Sequence, residues 1–496
     1  MPNGDSTTLD QSKIDDARSF TDSAAAVERI RELYDEAVSG LRADFDRFAR
    51  GEDRGDDGAE TEHRYPHVSF EIGPRDVGQD RNRAHAYGHF ESSGLHGTTV
   101  TRPDIFGDYL AEQIGLAIAA HGRPVVVGRS RVPIPLPYAA ETADAGLSHS
   151  DMAALKARFP FPDLSRIEDR VPNGTYMPKR GKQKPLSLFS AQRVDFSLMR
   201  LKHYTGTSPE HFQNYVLFTN YQRYIDAFVE TSEQLLRDPS GRFLKLIGPG
   251  DIVLADADGP KSAGRKMPQM PAWHLVAKNG KDGITIVNIG VGPSNAKTLT
   301  DHLAVLRPHA WIMLGHAGGL RDAQRIGDYA LAHAYVRADH VLDADLPVWV
   351  PVPPIAEIQT ALAEATGKIA GLGKDEVKRI LRTGTVFTTD DRDWELRRDE
   401  LAVLFNQSRA IAVDMESATI AANGYRFRVP YGTLLCISDK PLHHEPKMPG
   451  MANSFYDAQV GRHLLIGIET MERLRANGAE RLHSRKLRSF DEPAFR

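Results

Sequence analysis

The stretch ITIVNIGVGPSNAKTLTDHLAVLRPHAWIMLG (284–315) decides the fold class. ITIVNIG (284–290) is a run of β-branched and apolar residues, the composition of a strand buried on both faces. GPSN (292–295) supplies a turn, and Leu299, Leu303 and Leu306 then recur at i, i+4 and i+7, one face of a helix. HAWIMLG (309–315) is a second buried strand, so the whole stretch makes a strand–helix–strand crossover. The alternation returns downstream, where AIAVDM (410–415) feeds the helix ESATIAANGYRF and YGTLLCIS (431–438) is a strand ending at Asp439. The expected class is α/β: a mixed, mainly parallel twisted sheet covered by helices.

In open sheets of this kind ligands sit at the carboxyl ends of the strands. Four polar or Gly-rich groups fall there: Gly290 to Asn295, His316 to Gly319, Asp414 to Glu416, and Asp439. Each alone has a plain explanation. Gly290-Val-Gly292-Pro-Ser294-Asn295 lacks the third glycine of a dinucleotide fingerprint and the Gly-Lys of a phosphate loop, so a tight turn explains it as well as a ligand loop. Gly315 to Gly319 would let a flat ligand approach the backbone, or would simply be a loop. Glu416 in the first turn of a helix could serve only the helix dipole, and Asp439 could be a solvated loop residue. Their convergence at one end of a sheet is what makes a site the better explanation. His443-His444-Glu445 lacks a third ligand at metal spacing, and no metal is expected.

Working outward, the first third of the chain reads differently. Residues 1–20 are polar and read as disordered. Ala26, Ile30, Tyr34 and Val38 then form one helical stripe, HVSFEI (67–72) alternates like a strand, a helix follows at about Ile105 to His121, and RPVVVGRSRVPIPLPY (123–138) is a strand running into a Pro-rich edge. The expected division is a smaller α+β domain over 21–172, a Pro-, Gly- and Lys-rich linker over 173–190 and the α/β domain over 191–496.

Composition narrows the class. The 496 residues are 41% hydrophobic and 26% charged, ordinary globular usage. The balance of 62 basic against 66 acidic residues argues against a nucleic-acid binder. One cysteine, Cys436, excludes an intrachain disulfide and paired-cysteine zinc sites and suits a reducing cytoplasm. The acidic opening MPNGDSTTLDQSKIDD is unlike a secretory signal, and no run approaches the ~20 apolar residues of a membrane span. A cytoplasmic protein is expected.

Taken together, Gly290 to Ser294, Gly315 to Gly319, Met415-Glu416 and Ser438-Asp439 resemble, in order and spacing, the purine nucleoside phosphorylase/nucleosidase superfamily. HYTGTSPEHFQNYVLFTNYQRY (203–224), MPAWHL (270–275), DMESATIAANGYRFRVPYGTLLCISDKPLH (414–443) and an LHSRKLR-type C-terminus further resemble the bacterial AMP nucleosidases, over most of the chain. The resemblance implies a nucleoside phosphorylase-like C-terminal domain and hydrolysis of AMP to adenine and ribose 5-phosphate, in purine salvage. It also implies Asp439 as the acid at purine N7, Glu416 as the clamp on the ribose hydroxyls, Met415 against the ribose, and Ala317, Gly318 and Trp394 beside the base. Where phosphorolytic relatives carry Arg-x-Gly-Ser, this chain has Met313-Leu314-Gly315-His316, which fits a hydrolase. For phosphate and sugar, Gly290, Gly292, Ser294, Thr205, Thr207, Arg223 and Lys447 are candidates on chemical grounds. No catalytic cofactor is implied; Mg-ATP as activator, phosphate as inhibitor and a homohexamer are. The alternatives are a purine nucleoside phosphorylase and a catalytically inactive nucleotide sensor.

Overall fold

The stripe Ala26, Ile30, Tyr34 and Val38 folds as the sequence demands. It lies buried on a helix over Ser23–Ala49, which Asp22 starts by accepting the Ala25 N–H at 2.7 Å. The computed structural model describes residues 14–52, 63–77, 90, 92–140, 149–178, 183–256, 259–260, 267–445, 452–482, 487–488 and 492–496. These form two units, one reaching Met199 and taking in residues 492–496, the other running from Arg200 to Arg488.

The first unit contains β1 (Asp15–Phe20), α1 (Ser23–Ala49), β2 (Arg64–Ile72), β3 (Gly94–Thr99), α2 (Pro103–His121), β4 (Val125–Pro133), α3 (Leu136–Ala139) and α4 (His149–Arg158). Its four strands form an antiparallel sheet in the order β1-β4-β2-β3. Two expectations are corrected here. Residues 15–20, read as disordered, are strand β1, paired with β4 from Asp15↔Arg129 to Phe20↔Val125; residues 1–13 lie outside the described residues. The described part of the expected linker is no linker: Leu186, Leu188 and Phe189 are buried, Leu186 N–H donates to Gly97 O, and the Thr98 and Ser187 hydroxyls lie 2.9 Å apart. The Pro and Lys content advertised exposure, but the apolar triplet within it decides the packing. The division between units falls later, inside α5 (Ala191–Thr205).

One buried carboxylate stands in this unit. Asp195 of α5 accepts hydrogen bonds from Tyr65 Oη at 2.6 Å and Thr101 Oγ1 at 2.8 Å. Burial pushes its carboxyl up to about 7, against the pull of those two donors.

The second unit contains β5 (Tyr215–Thr219), α6 (Gln222–Leu236), β6 (Phe243–Gly248), β7 (Ile252–Asp256), β8 (Gly259–Pro260), β9 (Ala272–Ala277), β10 (Ile284–Asn288), α7 (Pro293–Leu303) and β11 (Ala310–Gly319). It continues with β12 (Tyr329–Ala338), α8 (Ala356–Ala370), β13 (Leu381–Thr389), α9 (Arg398–Ser408), β14 (Ala410–Asp414), α10 (Ser417–Phe427), β15 (Tyr431–Asp439) and α11 (Ala452–Asn477). The eleven strands run β14-β13-β12-β15-β11-β5-β10-β9-β6-β7-β8. The sheet is mixed, as expected. β15-β11-β5-β10 is a continuous parallel run, while β9, β6, β7 and β8 extend it antiparallel. The crossover through α7 steps over β5, which lies between β10 and β11.

Two further details position the site. Gly315 to Gly319, read as a turn, is the continuation of strand β11. Its end also pairs antiparallel with β14 (Gly318↔Val413, Gly319↔Ala412), so β14, β13, β12, β15 and β11 close on one another. This closure brings the end of β14 and the end of β15 to the two sides of Gly318, each ~4.8 Å away. No helix among the described residues is long and apolar enough to cross a membrane.

Candidate active site

Glu416 is buried and held at these strand ends. It stands just before α10, where a carboxylate ordinarily caps the helix, but Asp414 caps instead, its Oδ2 accepting Ser417 N–H at 2.9 Å and the Ser417 hydroxyl. Thr388 Oγ1 donates to the other oxygen of Asp414 at 2.6 Å. Glu416 is thereby free to reach across the sheet. Its Oε1 accepts the Gly292 N–H at 2.6 Å and its Oε2 accepts from Asn220 Nδ2 at 3.0 Å. Gly292 sits at φ +114° at the start of α7, a conformation L side chains rarely adopt, so glycine is required for that amide to face the carboxylate. Glu416 is 1% exposed. Burial first and the neighbouring Asp414 second push its carboxyl up to about 8, and the two donors resist.

On the far side of Gly318, Asp439 closes β15 opposite that glycine, half-buried. The Ser438 hydroxyl lies within hydrogen-bond distance of Asp439 Oδ1 and of Ala317 O, tying the aspartate to the end of β11. Glu395 lies near enough that its carboxyl is raised by burial and then by the charge of Asp439. Ala317 is buried while Gly318 is partly open. Met415 is half-buried between Asp414 and Glu416.

The structure sorts the remaining expectations. Trp394 packs as a core residue, 7% exposed, edge-on to Phe405 at 5.5 Å within a cluster that includes Leu320 and Val413. It meets the site only through Gly318, its indole 3.5 Å from where a Cβ on that glycine would stand. Gly290 turns in the left-handed region and donates to Asn288 Oδ1, and Ser294 is exposed in the first turn of α7. Arg223 lies in the first turn of α6, three residues after Asn220. Thr205 and Thr207 do not belong to the site. Both are fully buried, and their hydroxyls join a chain to His274 and Thr285, with Thr207 Oγ1 2.9 Å from His274 Nε2. Thr285 is three residues, ~10 Å of strand, before the carboxyl end of β10. Pro209–His211, which follows them, is a single helical turn. Lys447 lies outside the described residues. Glu445 is used by Lys440, whose Nζ donates to it at 2.6 Å.

Sequence reading missed Asn220, and it named Asp414 among the strand-end groups without its part in capping α10. Asn220 had a signal, a polar residue directly after the buried strand YVLFT, but nothing local showed that the strand lies between β10 and β11.

Two family models match the chain. A family model described as the N-terminus of bacterial AMP nucleoside phosphorylase matches residues 25–183, and one for the phosphorylase superfamily matches residues 271–459. The chain is 50% identical over 478 residues to AMP nucleosidase of Escherichia coli K12, covering 95% of this chain and 98% of that protein. It is 28% identical over 168 residues to a 5'-methylthioadenosine/S-adenosylhomocysteine nucleosidase of a Marinomonas species, covering 32% of this chain and 69% of that one. Among solved structures, an AMP nucleosidase from Bacteroides thetaiotaomicron is similar at 28% identity and a TM-score of 0.42, covering 57% of this chain and 98% of that one.

Proposed function

This chain belongs to the family of bacterial AMP nucleosidases, and from that premise we propose that it hydrolyses the N-glycosidic bond of AMP, giving adenine and ribose 5-phosphate. It is an enzyme of the nucleoside phosphorylase/nucleosidase superfamily, a glycosidase. The observation that carries the reading is the pair of carboxyls at neighbouring strand ends: Glu416, held by Gly292 and Asn220, and Asp439 across Gly318.

Breaking the bond leaves positive character on the ribose and negative charge on the departing base. Asp439 protonates purine N7, so the electron pair of the C1′–N9 bond leaves on a neutral base, or hydrogen-bonds N7 and stabilises the departing anion. Glu416 accepts hydrogen bonds from the ribose hydroxyls, which fixes the sugar and favours its cationic form in the transition state. Water adds to C1′. The partly open backbone at Gly318 leaves room for a flat base, with Met415 against the sugar. Hydrolysis over phosphorolysis is supported by Met313, apolar and fully buried where phosphorolytic relatives carry an arginine. Arg223, in the first turn of α6, is the cation offered to the 5′-phosphate.

The finer parts of the proposal rest on the family. Mg-ATP activates and phosphate inhibits through the first unit, no catalytic cofactor takes part, the assembly is a homohexamer, and the role is purine salvage in the cytoplasm.

The test is to incubate the protein with AMP or adenosine in phosphate-free buffer, with and without Mg-ATP, and to separate the products. Adenine and ribose 5-phosphate in equal amounts from AMP, faster with Mg-ATP and slower with added phosphate, are expected. Base release from adenosine alone, and only with phosphate present, would make the protein a phosphorylase.

A further inference from the structure

Asn220 stands where β5 ends, between its two neighbours in the sheet. It directly follows β5, which is flanked by β10 with its Gly292 turn on one side and by β11 with Gly315 on the other. Its amide has two ends with different fates. Nδ2 donates to Glu416 Oε2 at 3.0 Å, the arrangement in which Glu416 accepts as an ionised clamp. Oδ1 therefore points away from Glu416, and it is both buried and without a hydrogen-bond partner. It lies 3.5 Å from where a Cβ on Gly315 would stand. Buried amide oxygens are nearly always hydrogen-bonded, so an unpartnered one beside the ribose clamp asks for a donor that arrives with the substrate.

We propose that Asn220 is a positioning residue of the reaction: its N–H holds Glu416, and its amide oxygen accepts a hydrogen bond from an O–H at the ribose, either the 2′-hydroxyl or the attacking water. This rests on the AMP reading above. The two ends of the amide act together. When the substrate O–H engages Oδ1, the amide is pinned, and Glu416 is pinned with it in the orientation that meets the sugar. The N–H of Asn220 also opposes the burial and the Asp414 charge that favour protonated Glu416, so it helps keep the clamp ionised.

Asn220→Ala and Asn220→Asp test this, with AMP and 2′-deoxy-AMP as paired substrates and thermal unfolding as the control for folding. Asn220→Ala is expected to lower kcat/KM for AMP by about 10- to 100-fold, the usual effect of losing a hydrogen bond to a charged group. Its rising limb of kcat/KM against pH should move to higher pH, since Glu416 loses a donor that favours its ionised form. Asn220→Asp places a second carboxyl against Glu416. The two would share a proton, so its activity should fall with rising pH where the wild type rises. If the 2′-hydroxyl is the partner, Asn220→Ala loses the preference for AMP over its 2′-deoxy analogue. If the water is the partner, that preference stays and the loss falls on kcat. Wild-type kcat, KM and pH profiles in both variants would overturn the proposal, as would losses that follow unfolding with no shift in pH profile. A wild-type protein that releases no adenine from AMP overturns the parent reading, and this one with it.

Discussion

Two buried carboxylates, one in each unit, have raised affinities for protons and opposite characters. Asp195 is pushed up to about 7 and is surrounded by its own protein: Tyr65 and Thr101 donate to it from fixed positions in the middle of a packed cluster. Glu416 is pushed up to about 8, but its partners are a turn amide and an asparagine whose other end is unengaged, all at the ends of strands. Burial perturbs both. The role proposed for Glu416 rests on two contrasts with Asp195: an amide oxygen beside it is left without a partner, and it sits where the sheet ends.

That contrast can be broken by substitution. Glu416→Ala should lower kcat/KM for AMP by about 10²- to 10³-fold, two charge-assisted hydrogen bonds' worth, while Asp195→Asn leaves it within about twofold. Steady-state adenine release measures both, and equal losses would erase the distinction. Next in size is the pH response. Burial and the neighbouring Asp414 push the Glu416 carboxyl up to about 8, so wild-type kcat/KM should rise toward that pH, with no such rise in Glu416→Gln. A flat wild-type profile between pH 6 and 8 would remove Glu416 from the chemistry.

Stability gives a smaller effect with a fixed sign. The folded state holds the Asp195 proton more tightly than the unfolded state does. The wild type therefore loses stability as pH rises from about 4 to about 7, and Asp195→Asn does not. Relative to wild type, the variant should gain about 3 kcal/mol across that window, at up to about 1.36 kcal/mol per pH unit, read by denaturant unfolding at each pH. An unchanged difference between the two would mean that Asp195 is not buried as described. The smallest expected change is in Trp394→Phe. As a core residue it should cost about 1 to 2 kcal/mol of stability and change KM for AMP less than threefold. A large rise in KM with unchanged stability would return the indole to the base site.

Much of this was legible in the sequence because the second unit repeats one pattern. Apolar strands ending in Gly290, Gly315, Asp414 and Asp439 announce a sheet and name the side chains at its carboxyl edge. What the sequence concealed was pairing between distant strands. The closure of β14 onto β11 sets Val413, three residues before Glu416, and Asp439 on either side of Gly318, and no local period encodes it. The insertion of β5 between β10 and β11 likewise brings Asn220 to Glu416 across 196 positions of chain. Thr205 and Thr207 misled for the complementary reason: hydroxyls beside a glycine look like a phosphate loop until His274 and Thr285 claim them. The segment 186–189 was lost inside a Pro- and Lys-rich context, although Leu186, Leu188 and Phe189 carry the packing.

The most direct test of the account is the rate of adenine release from AMP in phosphate-free buffer by the wild type and by Asp439→Asn. The wild type should turn over and the variant should lose about 10²- to 10⁴-fold in kcat, the range expected for a lost general acid, with its unfolding temperature unchanged. Equal kcat in the two proteins would contradict the assignment of Asp439 and the mechanism built on it.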